Sequence, residues 1–529
     1  MRIRTYLIIL LAWLVSTSSV SSVSAAAAPA SSRESDSPNI VVIMTDDQDV
    51  TMGSLAYMPR LQQLLVQQGM SFSQFFATQT LCCPSRVTFL RGQYTHNHQV
   101  YTNLPPLGGF EKMLALNLES DTTATALSNA GYHTALIGKY LNGYPLSSNQ
   151  TYIPPGWDEW FVPISNGAYG SYNYTVNDNG ALVAYGQTPA DYITDVLAAE
   201  ALDFLDRNSG QPSDPPFFLL LSFYAPHSPA NPARRHSDLF PDAQTPRTIG
   251  FNETDMSDKP AFMQAVPSLS PAVIQDLDFQ YRRRAQSLQA VDEAIGEIVQ
   301  SLQASGQLER TVIVFLSDNG YHLGQHRLPA GKGTAYEEDI RMPLIVRGPG
   351  VPAGVVRSEL TAMIDLAPTL VELGGGQLGH PSDGRSLTPL LTSAAPAAGW
   401  RQALLIEHYR AATLHMPARE ADWEPIEPMD VFMHSIDQQQ TAYTALRTAG
   451  YTYIDRPGSD DELYDLTRDP DQVFSRWRET PAIMRAQLGS FLAPLTTCAG
   501  ATCRMLDAST PPAFQAPPDR AYLPLLLAR

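Results

Sequence analysis

The hydrophobic positions of this chain form several short continuous runs and one long periodic stretch. The runs at residues 38–44, 216–223 and 311–316 are apolar at all but one position each, as expected of strands that are buried on both faces of a sheet. Between residues 288 and 302 the apolar positions recur at spacings of three and four, which predicts a long amphipathic helix packed on that sheet. The pattern therefore predicts a large α/β unit.

Further elements follow the same logic. Residues 134–137 and 342–346 predict additional strands, and residues 360–373 predict a helix that caps the large unit. Beyond Gly399, the segments 404–407, 443–454 and 462–466 predict short strands of a smaller unit.

Polar residues follow two of the buried runs directly. Asp46 and Asp47 come after the first run, and Asp318 and Asn319 come shortly after the run at 311–316. Open α/β sheets bind ligands at the carboxyl ends of their strands, and oxygen ligands suit calcium or magnesium. An Asp pair after a strand is, by itself, more often a turn or a helix cap. The recurrence of oxygen donors at a second strand end favours a metal site.

Composition limits the classes of function. The chain has 529 residues, of which 44% are hydrophobic, enough for a large core and a second, smaller unit. Its formal net charge of −18 argues against nucleic acid as a partner, so an anionic substrate would need a local cationic pocket. The densest basic run, Arg282 to Arg284, is interpreted as a solvated helix face.

The first residues have the features of a secretory signal. Arg2 and Arg4 precede an apolar run at 6–15, and a small-residue cleavage site lies near Ala25. The apolar run is shorter than the ~20 residues of a membrane span. We expect a signal peptide over 1–25, a linker over 26–37, and an exported protein with no membrane span after signal removal. The expected location is secreted, periplasmic or extracellular, or lysosomal in a eukaryotic host.

The four cysteines fall into two groups. Cys498 and Cys503 are predicted to form a short-loop disulfide, as is favoured in an exported protein. Cys82 and Cys83 then have no distant partner. No second pair of Cys or His stands at the spacing of a zinc site.

The segment Cys82-Cys83-Pro84-Ser85-Arg86, followed by Leu90-Arg91-Gly92, resembles the C-x-P-S-R signature of the sulfatase family. Residues 93–103 resemble the same segment in one branch of that family, which contains N-acetylglucosamine-6-sulfatases, extracellular heparan-sulfate sulfatases and microbial arylsulfatases. On the motif alone, a buried cysteine pair or a disulfide is the alternative. The resemblance covers residues 38–503. It implies an alkaline-phosphatase-like α/β sandwich, with a large mixed, mostly parallel sheet flanked by helices and a smaller C-terminal domain with an antiparallel sheet.

The resemblance also implies a mechanism. Cys82 would be oxidised by a formylglycine-generating enzyme to Cα-formylglycine (3-oxoalanine), whose hydrate attacks sulfur and then expels sulfate. Arg86, one helical turn away, would hold the hydrate. Lys139 and Lys332 match the lysines that contact the sulfate, and His227 matches the histidine near the leaving-group oxygen. The alternatives are a mobile surface position for Lys332 and for His227.

For the metal, the resemblance implies calcium, with magnesium as the alternative. Its ligands would be Asp46, Asp47, Asp318, Asn319 and the converted Cys82. Many sulfatases carry a histidine two residues after the lysine matched by Lys139, where this chain has Leu141. The candidates for contacts with the substrate or the hydrate are His96, His98, Asn142 and His322. For His96 and His98, a structural turn is the equal alternative.

These observations predict a catalytic domain over 38–395, a small α+β subdomain over 396–510 and a Pro-rich tail over 511–529. The expected function is a secreted sulfatase acting on aryl sulfates or on sulfated sugars such as N-acetylglucosamine 6-sulfate. A phosphomonoester or phosphonate hydrolase of the same fold is one alternative. A noncatalytic exported binding protein is the other.

Overall fold

A computed structural model describes residues 37–164, 166–209, 214–393, 399–409, 442–458 and 460–514. The expected signal peptide and nearly all of the linker lie outside the described residues, as does most of the expected tail. Among the helices of this described part, none combines the length and the apolar character that a membrane crossing requires.

The strands of the described residues form one large sheet, a small C-terminal sheet and two short pairs. In chain order they are β1 (Asn39–Thr45), β2 (Met70–Phe72), β3 (Phe75–Phe76), β4 (His133–Gly138), β5 (Glu159–Pro163), β6 (Thr175–Asp178), β7 (Ala181–Ala184), β8 (Phe217–Ser222), β9 (Thr311–Ser317), β10 (His322–Leu323), β11 (Ala330–Gly331), β12 (Leu344–Arg347), β13 (Val355–Arg357), β14 (Thr361–Ala362), β15 (Ala403–His408), β16 (Tyr443–Thr448), β17 (Tyr451–Asp455) and β18 (Glu462–Asp465).

The large sheet has ten strands in the order β13-β2-β12-β9-β1-β8-β4-β5-β6-β7. Its four central neighbours β9, β1, β8 and β4 run parallel, with Thr45 opposite Ser317 and Ile137 opposite Leu221. Strands β1, β8 and β9 are buried along their whole length, because helices cover both faces of the sheet. The three predicted buried runs are confirmed.

The helices of the described residues flank the large sheet and close the C-terminal end. In chain order they are α1 (Pro59–Leu61), α2 (Cys82–Arg91), α3 (Thr95–His98), α4 (Gly109–Ala115), α5 (Thr123–Asn129), α6 (Ile193–Arg207), α7 (Ala261–Gln264), α8 (Pro271–Ala304), α9 (Glu337–Ile340), α10 (Leu366–Leu373), α11 (Thr388–Leu391), α12 (Ala482–Leu495) and α13 (Ala501–Asp507).

Helix α8 is longer than its periodic stretch predicted. Ser270 caps it by accepting the N–H of Val273, and Pro271 occupies the first helical position, where its missing N–H costs nothing. The face with Ile295 and Ile298 packs on the sheet.

The interpretation of the Arg282 to Arg284 run as a solvated face is wrong for its last member. Arg284 is only 4% exposed, and its guanidinium donates to the backbone carbonyls of Pro226 and Asp47, which lie beyond the ends of β8 and β1.

Helix α10 begins later than predicted. Residues 361–365 instead form β14 and a 3-10 turn, because the Asp365 carboxylate accepts the N–H of Ala362 and pairs with buried Arg401. Arg401 also contacts Asp507 of α13.

The C-terminal sheet is antiparallel, in the order β15-β16-β17-β18. Its apolar side chains share one core with Phe76, Tyr94 and Leu328 of the preceding part of the chain. Cys498 and Cys503 form a disulfide. The mixed central sheet and the separate antiparallel sheet confirm the predicted fold class.

Candidate active site

The four central parallel strands each deliver polar side chains to one edge of the sheet. Asp46 and Asp47 follow β1, and Asp318 and Asn319 follow β9, so the two pairs come together although about 270 residues separate them. The backbone N–H of Asp47 donates to Oδ1 of Asp318 at 3.0 Å. Lys139 follows β4 directly, and the turn after β8 carries His227.

Three buried carboxylates form the centre of the site. Oxygen atoms of Asp46, Asp47 and Asp318 lie within 4.8 Å of one another. Nδ2 of Asn319 donates to Oδ1 of Asp47 at 2.6 Å, and Oδ1 of Asn319 is buried with no hydrogen-bond partner among the described residues. Carboxylates with an unsatisfied amide oxygen are a donor set that suits a hard divalent cation. These residues could therefore hold a metal ion.

Each carboxylate has its own cationic neighbour. Lys139 Nζ lies 2.6 Å from Asp46, Lys332 Nζ lies 2.5 Å from Asp47, and Arg86 Nε lies 2.9 Å from Asp318. Arg86 also donates to Ser222 Oγ and to the Lys139 carbonyl. The positive charges are thus held around the carboxylates before any ligand arrives.

The ionisation of these groups follows from burial and from their neighbours. Burial favours the neutral form of Asp46, but Lys139 and His227 outweigh it and hold the pKa of that carboxyl well below its usual range. Burial and repulsion from Asp46 raise the pKa of Asp318 to about 6. Burial disfavours the charged form of Lys139, yet Asp46 raises its pKa well above the ordinary value. A compact network of opposite charges results.

Cys82 stands at the first turn of α2, a helix that is buried along its whole length. Its Sγ lies 3.5 Å from Asp46 Oδ1 and 2.8 Å from Lys332 Nζ. Burial raises the pKa of the Cys82 thiol well above its usual value, although Lys139 and Lys332 oppose the shift. The unmodified side chain is thus a neutral thiol and a poor nucleophile.

His227 is held by its own turn. Its Nδ1 lies 2.7 Å from the Ser228 carbonyl, to which it donates, so Nε2 is the nitrogen that faces the carboxylates, 3.7 Å from Asp47 Oδ2. The ring of Tyr169 lies 4.7 Å from the His227 ring, and Lys139 Nζ lies 5.0 Å from the Tyr169 centroid. Tyr169 was not predicted, because a single tyrosine in a glycine-rich loop carries no sequence signal.

His96 and His98 have contacts within the fold. The ring nitrogens of His96 lie 2.7 Å from Glu407 Oε1 and 2.8 Å from the Cys498 carbonyl. His98 contacts Thr88 Oγ1 and accepts the N–H of Val100, and burial lowers its pKa to about 3. For both residues these contacts correspond to the structural alternative rather than to substrate binding.

The other two candidates lie beside the charged residues. His322 Nδ1 lies 2.8 Å from Asp339, and His322 is in β10, which pairs with β11, the strand that precedes Lys332. Asn142 lines a small cavity together with Lys139 and Tyr169.

Comparison with known proteins gives consistent matches. The sulfatase family profile matches residues 38–376. Human N-acetylglucosamine-6-sulfatase is 34% identical over 479 residues, which cover 88% of this chain and 86% of the human protein. The arylsulfatase of Volvox carteri is 32% identical over 501 residues, covering 88% and 75%. The extracellular sulfatase SULF-1 homolog of Drosophila melanogaster is 40% identical over 373 residues, or 70% of this chain, but this chain spans only 33% of the fly protein's length.

Two solved structures share the fold. One is a protein in complex with its substrate D-glucosamine-2-N,6-O-disulfate, with a TM-score of 0.68 and 23% identity, covering 90% of this chain and all of the other. The second is the phosphonate monoester hydrolase of Agrobacterium radiobacter, with a TM-score of 0.63 and 22% identity, covering 85% and 93%. At these identities the likeness establishes the fold alone.

Proposed function

This chain belongs to the sulfatase family, and we propose on that premise that it is a sulfuric ester hydrolase acting on sulfate monoesters. The proposed substrates are aryl sulfates or sulfated sugars such as N-acetylglucosamine 6-sulfate, in line with the names of its relatives. The observation that carries the proposal is the convergence of three cations and three carboxylates on Cys82.

The donor set fits the two groups that such a reaction uses. Asp46, Asp47, Asp318 and Asn319 would hold a divalent cation, calcium or alternatively magnesium, which supplies positive charge beside the sulfuryl oxygens when bound. Cys82, once converted to formylglycine by a formylglycine-generating enzyme, would supply a hydrated aldehyde as nucleophile.

The cationic side chains bind and orient the sulfate ester. Lys139 and Lys332 are held by Asp46 and Asp47, and a cation among the carboxylates would free their ammonium groups for sulfate oxygens. Prearranged charge of this kind costs no reorganisation during the reaction, which is why it lowers the barrier strongly. Arg86 is fixed by Ser222 and Asp318 and orients the side chain at position 82.

His227 serves the leaving group. Because Nδ1 donates to the Ser228 carbonyl, the imidazolium form presents its second N–H from Nε2 towards the charged residues. A proton on Nε2 can pass to the departing alcohol oxygen. His227 is therefore the proposed general acid, and His322 and Asn142 remain proposed substrate contacts.

The same proposal covers location and domains. We place the mature protein outside the cytoplasm, with a sulfated small molecule or glycan as its partner. Residues 38–395 would form the catalytic domain and 396–510 a smaller C-terminal subdomain.

A phosphonate or phosphomonoester hydrolase is the second candidate, because a phosphonate monoester hydrolase shares the fold. A phosphomonoester dianion carries one more negative charge than a sulfate monoester, so the relative rates on the two substrates show which charge the site is suited to.

The experiment compares initial rates on 4-nitrophenyl sulfate, N-acetylglucosamine 6-sulfate and 4-nitrophenyl phosphate. The protein is produced together with a formylglycine-generating enzyme, and Cys82→Ala is the matched inactive control. We expect faster release of sulfate than of phosphate, with no turnover by Cys82→Ala. Faster hydrolysis of the phosphate ester would replace the proposal by the second candidate. The absence of turnover on every ester would favour a binding protein.

A further inference from the structure

The guanidinium of Arg284 lies beneath the site, on the first half of α8. Arg284 is almost fully buried, and its two terminal nitrogens donate to different segments of backbone. Nη1 donates to the Pro226 carbonyl at 3.1 Å, and Nη2 donates to the Asp47 carbonyl. One side chain thus connects a carboxylate-bearing strand end with the turn that carries His227.

The backbone of Asp47 has a conformation that this hydrogen bond stabilises. Asp47 has a φ of 64°, in the left-handed region that is uncommon for residues other than glycine. This conformation sets the direction of both the Asp47 carbonyl and its carboxylate, and the carboxylate lies beside Lys332 and Asn319. A charged donor on the carbonyl stabilises the unusual conformation more than a neutral donor or water would.

Arg284 also contacts the backbone directly before His227. Pro226 is the residue before His227, so a hydrogen bond to its carbonyl fixes the start of the turn. The position of Nε2 relative to Asp47 depends on that turn, because the His227 ring is held by the Ser228 carbonyl of the same turn and by contact with the Tyr169 ring.

The charge of Arg284 is accommodated without using the three carboxylates of the site. Asp49 Oδ1 lies 3.6 Å from Nη2, and the guanidinium lies 4.4 Å from the centroid of the Tyr321 ring. The side chain is therefore held on several sides. The planar guanidinium of an arginine can donate to both carbonyls at once, whereas the ammonium group of a lysine would reach only one of them at a time.

We propose that Arg284 is a positioning residue, which holds the Asp47 backbone and the His227 turn in register with each other. The proposal rests on the proposed function for its kinetic consequence, but not for its effect on the cation. Loss of Arg284 should loosen one ligand of the cation and misplace the general acid together.

The experiment uses Arg284→Gln in the full chain, with Arg282→Gln as the matched control. Arg282 is two positions earlier on the same helix and is partly exposed. Calcium affinity is measured by calorimetry on chelator-treated protein. Values of kcat and KM are measured on 4-nitrophenyl sulfate, whose leaving group departs without a proton, and on N-acetylglucosamine 6-sulfate, whose sugar alkoxide needs one.

For Arg284→Gln we expect calcium to bind about tenfold more weakly, since one ligand loses its backbone support. We expect kcat on the sugar sulfate to fall about 100-fold but kcat on the aryl sulfate to fall less than about tenfold, the difference being the contribution of the general acid. Arg282→Gln should match the wild type in all three measurements.

Unchanged values for Arg284→Gln would overturn the proposal. An equal loss on both esters with unchanged calcium affinity would also overturn it, because that result indicates only a structural role. If Arg284→Gln does not fold, Arg284→Lys is measured with the same criteria. If the wild type hydrolyses neither sulfate ester, the proposed function fails, and the calcium titration alone decides whether Arg284 supports Asp47.

Discussion

Lys332 Nζ lies 2.8 Å from Sγ of Cys82, the position of the proposed nucleophile. The same ammonium lies 2.5 Å from Asp47 Oδ1, so its charge sits between the nucleophile position and a carboxylate. Lys332 is 12% exposed at its side chain and lies within reach of an entering sulfate.

We expect Lys332→Met to lower kcat/KM on 4-nitrophenyl sulfate by roughly 100- to 1,000-fold, the usual effect of removing one prearranged donor. Lys112→Met, on the partly exposed helix α4, is the control and should retain full activity. Similar activities for both variants would show that Lys332 does not contribute to the reaction.

The state of Cys82 is directly measurable. Trypsin releases residues 61–86 as one peptide, because no Lys or Arg stands between Arg60 and Arg86. We expect this peptide from active enzyme to be ~18 Da lighter than its thiol form, as conversion to the aldehyde requires. An intact thiol in a fully active preparation would contradict the proposed nucleophile.

Removal of the cation should weaken both activity and stability. Without it, three buried carboxylates repel one another, and Lys139, Lys332 and Arg86 offset this only in part. We expect chelation to abolish turnover and to lower the free energy of unfolding by ~2 to 3 kcal/mol relative to calcium at about 100 times its Kd.

Asp318→Asn should abolish the rise in thermal midpoint that added calcium produces, whereas Asp203→Asn on the exposed face of α6 should preserve it. A calcium response that persists in Asp318→Asn would place the cation elsewhere.

Glu338 should make stability depend on pH. Burial raises its pKa to about 8, with Asp339 adding to the shift and a backbone hydrogen bond opposing it. The folded chain therefore keeps a proton that the unfolded chain, with an ordinary pKa of 4.5, releases. Stability contributed by this proton is present below pH 4.5 and is lost as the pH rises towards and beyond 8.

Glu338→Gln keeps the shape of the side chain and cannot ionise. We expect its free energy of unfolding to equal that of the wild type at pH 4.5 and to exceed it by roughly 2 to 4 kcal/mol at pH 9, measured by denaturant titration. Glu111→Gln on the surface is the control. A constant difference across this pH range would assign the effect to something other than ionisation.

The sequence predicted the parts of the site that directly follow buried strands. Asp46, Asp47, Asp318 and Asn319 were recognisable because continuous apolar runs identify central strands, and the ends of parallel neighbours meet. Tyr169 and Arg284 were not recognisable, because a loop and a helix bring them to the site through packing that no local pattern reveals. The contacts of His96 depend on Glu407 and Cys498, which lie more than 300 residues further along the chain.

Cys82 has no exposed surface in the folded chain, and the helix around it is buried from end to end. An enzyme that oxidises this side chain must therefore reach it on the nascent polypeptide, before β1 and β9 close over the helix. The proposed conversion of Cys82 therefore has to precede folding, and a molecule that folds first keeps the thiol. On that proposal, the specific activity of a preparation depends on how slowly the chain folds in its host, as well as on how much of the oxidising enzyme the host makes.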